Sequence, residues 1–143
     1  MGIIEDLKRD EGFRAKPYHD SEGKLTIGYG TLIEDGLSEE EAELLLNHRF
    51  GKINGDLFRA KPLTLERLPL PVIQGVQNMA YNLGVPRLLG FKRMWRALEL
   101  EDYETAAAEA LDSRWARQVG ARATRIADLI RQGNTPQNDG GPS

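Results

Sequence analysis

The chain has 143 residues, which suffices for one sizeable hydrophobic core or for two small lobes that share a connecting helix. It has no cysteine, which excludes disulfides and thiolate metal sites, and two histidines are too few for a histidine-based metal cluster. The net charge of −3 argues against a dedicated nucleic-acid binder. The charge is uneven, because residues 1–55 carry 7 Lys/Arg against 12 Asp/Glu, whereas residues 56–143 carry 12 against 10.

The first residues of the chain do not have the pattern of a secretory signal. Residues 1–4 are followed at once by Glu5 and Asp6, so no basic segment leads into an apolar one as in a secretory signal. No stretch approaches the roughly 20 apolar residues of a membrane span. We therefore expect a soluble protein without membrane insertion, which stays in the cytoplasm unless another factor releases it.

The first predicted element is a short helix. Ile3, Ile4 and Leu7 recur at helical spacing, and Gly12 suits the position after a helix end. Glu11 is therefore expected on the last turn of this helix.

A small antiparallel sheet of short strands is predicted next. Residues 17–18 are typical of extended backbone, and residues 20–23 form a turn signature. Residues 25–27 alternate apolar and polar side chains, and residues 31–33 would form a third strand. Gly28 and Gly30 indicate bulges or the close approach of another group to the backbone.

A long helix should follow the sheet. Ser38 and Glu41 have the spacing of a capping box. Apolar residues then continue at helical spacing to about residue 58, which gives a length of roughly 30 Å. This length suits a helix that joins two lobes.

The rest of the chain is predicted to be helical. Pro71 should open a helix that Gly84 closes, and Ser113 should cap a short one. The other helices are expected near residues 87–89, 91–98, 102–111 and 121–132. Residues 134–143 are polar, with Gly and Pro, and predict a flexible tail. Five Arg between residues 114 and 131 predict either a solvated helix face or a basic surface that meets an anionic polymer.

Two carboxylates and a hydroxyl lie near one another in the sequence, at Glu11, Asp20 and Thr26. Inverting hydrolysis of a glycosidic bond needs one acid to protonate the leaving oxygen and a second carboxylate to activate water, roughly 6.5–9.5 Å away. Glu11 at a helix end and Asp20 at a turn could face each other over such a gap, with Thr26 holding the water. Because acidic residues are common, this pattern alone is also compatible with two surface charges.

The surrounding sequence makes the pattern specific. Glu11-x8-Asp20-x5-Thr26, within DEGFRAKPYHDSEGKLTIGYGTL, closely resembles the phage-type lysozymes of glycoside hydrolase family 24, of the T-even type. Four more blocks resemble its sheet, inter-lobe helix, cleft-lining helix and C-terminal part, namely LTIGYGTLI, LSEEEAELLL, QNMAYNLG and DSRWARQVGARATRIADLI. The resemblance covers about residues 1–132.

The resemblance implies an α+β, two-lobed lysozyme-like fold, with a small antiparallel sheet lobe and an all-helical lobe joined by a long helix. The chain would be one lysozyme domain over residues 1–143. Its parts would be the N-terminal helix and sheet lobe at 1–38, the inter-lobe helix at 39–58, the helical lobe at 59–133 and the tail at 134–143.

Roles for individual residues also follow from the resemblance. Glu11 would be the general acid, Asp20 the carboxylate that activates water and stabilises positive charge on the sugar, and Thr26 the residue that positions the water. Gly30 and Leu32 would line the sugar cleft from the sheet side.

Other expected site residues lie in the helical lobe. Tyr81 and Asn82 would face the cleft, and Arg122 would lie against the catalytic Glu. Glu22 and Arg114 would form a weak ion pair across the cleft mouth.

The activity that the resemblance implies is hydrolysis of the β-1,4 bond between N-acetylmuramic acid and N-acetylglucosamine in peptidoglycan, by an inverting single displacement with no metal and no cofactor. The expected setting is host cell lysis by a phage or prophage. A monomeric endolysin would wait in the host cytoplasm until a holin releases it to the wall in the periplasm.

Two alternative functions would predict a different sequence. A non-catalytic wall-binding module would predict a broken triad, whereas the triad is intact. A helical nucleic-acid binder would predict a basic first half, whereas that half is acidic. Within the family, the sequence does not decide between a lysis enzyme and a virion-borne enzyme used to enter the host.

Three features depart from the T-even type. Only residues 34–37 separate the third strand from Ser38, so the first lobe should be smaller. Tyr81 replaces another aromatic residue, and the net charge is acidic rather than strongly basic. Trp95 and Trp115 are compatible with sugar stacking, but their helical neighbours favour core packing.

Overall fold

The structure is a computed structural model that describes residues 2–136. These residues form α-helices, two short 3-10 helices and one three-stranded antiparallel sheet, so the fold is α+β, as predicted. The chain divides into two compact units, Met1–Leu46 and Asn47–Ser143. The division falls inside the long helix.

The first unit begins with the predicted short helix, α1, which spans Ile3–Glu11. It ends because Gly12 adopts a φ of 71°, a conformation that glycine tolerates best, and the Gly12 N–H donates to the Lys8 carbonyl at 2.9 Å. Glu11 is therefore the last helical residue, as its sequence position predicted.

The sheet has the order β1-β2-β3, with β1 at Arg14–His19, β2 at Leu25–Gly28 and β3 at Thr31–Leu32. Thr26 on the middle strand is paired with Tyr18 on one side and Leu32 on the other. The predicted turn at residues 20–23 connects β1 to β2.

The third strand is shorter than predicted. Ile33 was expected to extend it, but Ile33–Asp35 forms a 3-10 helix. The Gly36 N–H donates to the Ile33 carbonyl at 3.0 Å, and Gly36 has a φ of 71°. The chain therefore turns before another strand pair can form.

The long helix, α2, spans Glu39–Ala60 and continues through both of its glycines. Its predicted capping box is confirmed. The Ser38 N–H donates to Glu41 Oε1 at 2.9 Å, and the Glu41 N–H donates to Ser38 Oγ at 3.1 Å.

The remaining helices form the second unit. They are α3 at Pro62–Arg67, α4 at Leu70–Leu83, α5 at Val85–Leu89, α6 at Lys92–Glu99, α7 at Tyr103–Leu111, α8 at Arg114–Val119 and α9 at Ala121–Arg131, followed by a 3-10 helix at Gln132–Asn134. The predicted caps are present, since Pro71 lies in the first turn of α4 and Ser113 Oγ accepts the Ala116 N–H. Residues 137–143 of the predicted tail lie outside the described residues.

The hydrophobic core lies among these helices. Helices α4 and α9 approach closely at Gly75, where a Cβ would lie 3.2 Å from Ile130 Cγ1. Trp95 and Trp115 are both buried in this core, which confirms the packing interpretation. Each indole N–H has a partner, the Leu88 carbonyl for Trp95 and Asn82 Oδ1 for Trp115.

Candidate active site

The Glu11 carboxyl group lies directly against the backbone of Gly30. A Cβ built on Gly30 would lie 2.5 Å from Glu11 Oε2 and 2.9 Å from its Cδ. Gly30 also has a φ of 75°, which disfavours any residue with a side chain. Gly30 was predicted to line the sugar cleft, and the structure adds that its backbone lies in close contact with the Glu11 carboxylate.

Two aromatic rings meet beside this contact. Phe13 follows Glu11 by two residues, and Tyr29 immediately precedes Gly30. Their ring centroids are 5.6 Å apart with an interplanar angle of 51°. The ring contact therefore joins the chain that leaves α1 to the turn between β2 and β3.

Asp20 is held by the turn that follows β1. Its Oδ1 accepts the N–H groups of Glu22 at 2.9 Å and Lys24 at 2.8 Å. Its backbone N–H donates to the Lys24 carbonyl at 2.8 Å, and its carbonyl accepts the Gly23 N–H. Within residues 2–46, no hydrogen-bond donor contacts the second carboxylate oxygen, Oδ2.

Thr26 is 2% exposed and is a buried polar residue on the middle strand. Its Oγ1 donates to the Lys24 carbonyl at 3.0 Å, so the hydroxyl hydrogen is used within the protein. The lone pairs of Oγ1 are then the groups that can bind a further molecule.

The Lys24 peptide groups thus connect both predicted water-binding residues. The Lys24 N–H binds Asp20, and the Lys24 carbonyl accepts from both Asp20 and Thr26. Leu32 is the strand partner of Thr26. Glu22 is exposed, and its Oε2 lies 3.8 Å from the Lys24 ammonium group.

Four predicted site residues belong to the second unit. Asn82 is exposed, and its Oδ1 accepts from Trp115 Nε1 at 2.7 Å. Arg122 Nε donates to Asn78 Oδ1 at 2.9 Å.

Tyr81 is half-buried near the end of α4, and Arg114 is the exposed first residue of α8. The placement of Arg122 against Glu11 and of Arg114 opposite Glu22 stays a prediction.

Two further properties concern the described residues alone. Residues 2–136 contain no group of three or more His, Asp or Glu side chains that could hold a metal ion. No helix within the same range combines the length and the apolar character that a membrane crossing requires.

Sequence reasoning missed three residues that shape this site, namely Lys24, Phe13 and Tyr29. Lys24 acts through its peptide groups, which no side-chain pattern reveals. The aromatic residues carried a weak signal, since each is an apolar residue next to a glycine outside any predicted strand or helix.

Most glycoside hydrolases use a pair of carboxyl groups that flank the scissile bond. This chain carries two candidates on separate elements, Glu11 at the end of α1 and Asp20 in the turn after β1. A model of the phage lysozyme family matches residues 8–133. The chain therefore belongs to the phage lysozyme family, a family of glycoside hydrolases, and the resemblance seen in the sequence is confirmed.

Three relatives show how the chain compares with individual proteins. It is 32% identical to the pre-baseplate central spike protein Gp5 of Enterobacteria phage T4, over 94% of this chain and 28% of the spike protein. It is 28% identical to the probable T4-type lysozyme 1 of Dictyostelium discoideum, over 92% of this chain and 94% of that protein. An endolysin of Acyrthosiphon pisum secondary endosymbiont phage 1 is 26% identical, over 88% and 86% of the two chains. The chain thus spans less than a third of the spike protein and most of the other two.

Proposed function

We propose that the protein hydrolyses the β-1,4 bond between N-acetylmuramic acid and N-acetylglucosamine in bacterial peptidoglycan by an inverting single displacement. Glu11 gives its proton to the leaving oxygen, while Asp20 and Thr26 hold the attacking water. Two relatives, named a probable lysozyme and an endolysin, support the bacterial cell wall as the substrate.

The arrangement around Lys24 is the observation that carries this proposal. Asp20 Oδ1 is occupied by two backbone N–H groups, so Oδ2 is the oxygen that can accept from water. The Thr26 hydroxyl donates its hydrogen bond to the Lys24 carbonyl, so Oγ1 can only accept a hydrogen bond from water. A water molecule that donates both hydrogens to these two acceptors presents its lone pair to the substrate, as a nucleophile must.

The proton must come from the opposite side of the bond. Glu11 lies on a different element, the end of α1, and its carboxyl group is fixed against Gly30. In an inverting hydrolase the acid and the base act in the same step, so the bond breaks while the water adds and the product has the opposite anomeric configuration.

Substitution of the acid tests the proposal directly. Glu11→Gln should reduce the rate of wall clearing by several orders of magnitude and leave the melting temperature unchanged, because Gln has the same shape but no proton to give. Glu5→Gln on the same helix is the matched control, since Glu5 is an exposed acid whose contact is Lys8. Near-normal clearing by Glu11→Gln would overturn the assignment.

The stereochemistry needs its own experiment. NMR of the product formed from defined muropeptides should show the α anomer first, before mutarotation. A first product with the β configuration would reject the single displacement.

For the biological setting, we infer host cell lysis by a phage or prophage. A monomeric endolysin would remain in the host cytoplasm until a holin opens the membrane, and would then reach peptidoglycan. Expression without a holin should leave cells intact, and chemical permeabilisation should then cause lysis. Lysis without permeabilisation would contradict holin dependence.

A virion-borne role is a second candidate, because the chain is 32% identical to part of a phage spike protein. The two settings differ in where the protein is found. Mass spectrometry of purified particles would detect it in the virion-borne case, whereas a lysis enzyme would be confined to the infected-cell lysate.

A further inference from the structure

We propose that the Phe13–Tyr29 ring pair is a positioning contact that keeps the Glu11 carboxyl group seated on Gly30. This inference rests on the proposed function for its catalytic consequence. Its structural part, the link between the ring pair and the Glu11–Gly30 contact, can be tested without activity.

The Glu11 carboxylate has little else to hold it in its own unit. Within residues 2–46, no hydrogen bond or ion pair to this carboxylate is present, and it lies in close contact with Gly30. Helix α1 has no buried side chain, so core packing does not fix the end of the helix. A contact near that end is therefore needed to locate Glu11.

The ring pair supplies such a contact on both sides. Gly12, with a φ of 71°, ends α1 directly after Glu11, and Phe13 follows it. Gly28 and Gly30, with φ values of 70° and 75°, flank Tyr29 in the turn between β2 and β3. The contact between the rings thus links the residues beside Glu11 to the residue beside Gly30.

The exposure of the rings argues against a role in general stability. Phe13 is 64% exposed and Tyr29 is 46% exposed, so neither belongs to the hydrophobic core. Exposed aromatic residues at a sugar-hydrolase site could instead stack on the substrate, and the experiment must separate these two roles.

Kinetics on soluble muropeptide oligomers separates them. Phe13→Ala and Tyr29→Ala should each lower kcat about tenfold or more with little change in KM, because a misplaced acid slows the chemical step. The double variant should lose no more than the worse single variant. Tyr29→Phe keeps the ring and should retain the wild-type kcat. Leu37→Ala is the matched control, because Leu37 is an exposed apolar residue of the same unit.

A second readout does not need activity. The nuclear Overhauser effect between the Gly30 Hα protons and the Glu11 side-chain protons should be strong in wild type, Tyr29→Phe and Leu37→Ala. It should weaken in both ring-deletion variants.

Two results would overturn the proposal. One is an Overhauser effect of wild-type intensity in both ring-deletion variants. The other is a raised KM with unchanged kcat, which would identify the rings as a sugar-binding surface. A wild-type protein that fails to cleave peptidoglycan would refute the proposed function, and the Overhauser comparison would still decide whether the rings seat Glu11.

Discussion

Replacement of Gly30 by alanine tests most directly how the carboxyl group of Glu11, the proposed catalytic acid, is positioned. The new Cβ would lie 2.5 Å from Glu11 Oε2, whereas ordinary non-bonded contact distances begin at about 3.5 Å. The carboxyl group must therefore move by about 1 Å. Because the oxygen is the end of a flexible side chain, the chain can still fold, and the cost falls on the position of the acid.

The size of the effect follows from that displacement. A misplacement of about 1 Å at a reacting group can reduce the rate about 100-fold, which corresponds to about 2.7 kcal/mol in the activation barrier. Alanine in left-handed backbone conformation also costs about 1–2 kcal/mol of folding free energy. Gly30→Ala should therefore lose both stability and activity, with the loss of activity the larger.

Gly36→Ala is the control that separates these two costs. Gly36 has a φ of 71°, close to the 75° of Gly30, but a Cβ at this position meets nothing within 4 Å. Denaturant unfolding should show destabilisation in both variants, whereas wall-clearing rates should show lost activity only in Gly30→Ala. Activity of Gly30→Ala within threefold of that of Gly36→Ala, a ratio worth about 0.6 kcal/mol, would refute the reasoning. In a Glu11→Gln background, Gly30→Ala should cause no further loss of activity.

Three further predictions concern stability. Ser38→Ala should lower the melting temperature by a few degrees in circular dichroism, because it removes the acceptor of the Glu41 N–H. The N–H of Ser38, and then its side chain, hold the pKa of Glu41 below its ordinary value of 4.5. This carboxylate should therefore stabilise the helix above about pH 4.5 and cease to do so as the pH falls through the lower folded-state pKa. Melting curves at several pH values would reveal this dependence, and Ser38→Ala should reduce it only in part, because the variant keeps the backbone N–H. Gly133→Ala would place a Cβ 2.6 Å from the buried Tyr103 ring and should cost about 1–3 kcal/mol, and an unchanged urea midpoint would contradict this.

Features set by local chemistry could be predicted from the sequence. Gly12 ends α1 and the Ser38–Glu41 pair opens α2, because each depends on groups within a few residues of one another. The same holds for Ser113, which caps α8. These predictions needed no knowledge of the rest of the fold.

Features that depend on distant residues could be predicted only in part. Gly30 indicated either a bulge or the close approach of some group to the backbone, but the identity of that group, Glu11, depends on where α1 places its last residue. The 3-10 helix at Ile33–Asp35 was missed because the apolar character of Ile33 also suits a strand. Trp115 was correctly expected in the core, yet its partner Asn82 lies 33 residues away in the sequence.

The proposed water-binding groups and the proposed acid are held in place by different parts of the first unit. Asp20 and Thr26 are joined through the peptide groups of Lys24, so a change in the β1–β2 hairpin moves both proposed water-binding groups together. Glu11 depends instead on the end of α1 and on the turn that contains Gly30. An inverting hydrolase must keep its two carboxyl groups at a separation that admits one water. Displacement of either carboxyl group therefore alters that separation. Substitutions in the hairpin should therefore impair water attack, and substitutions around Gly30 should impair proton donation. A leaving group that needs no protonation, such as a glycosyl fluoride, should restore activity only to the second set.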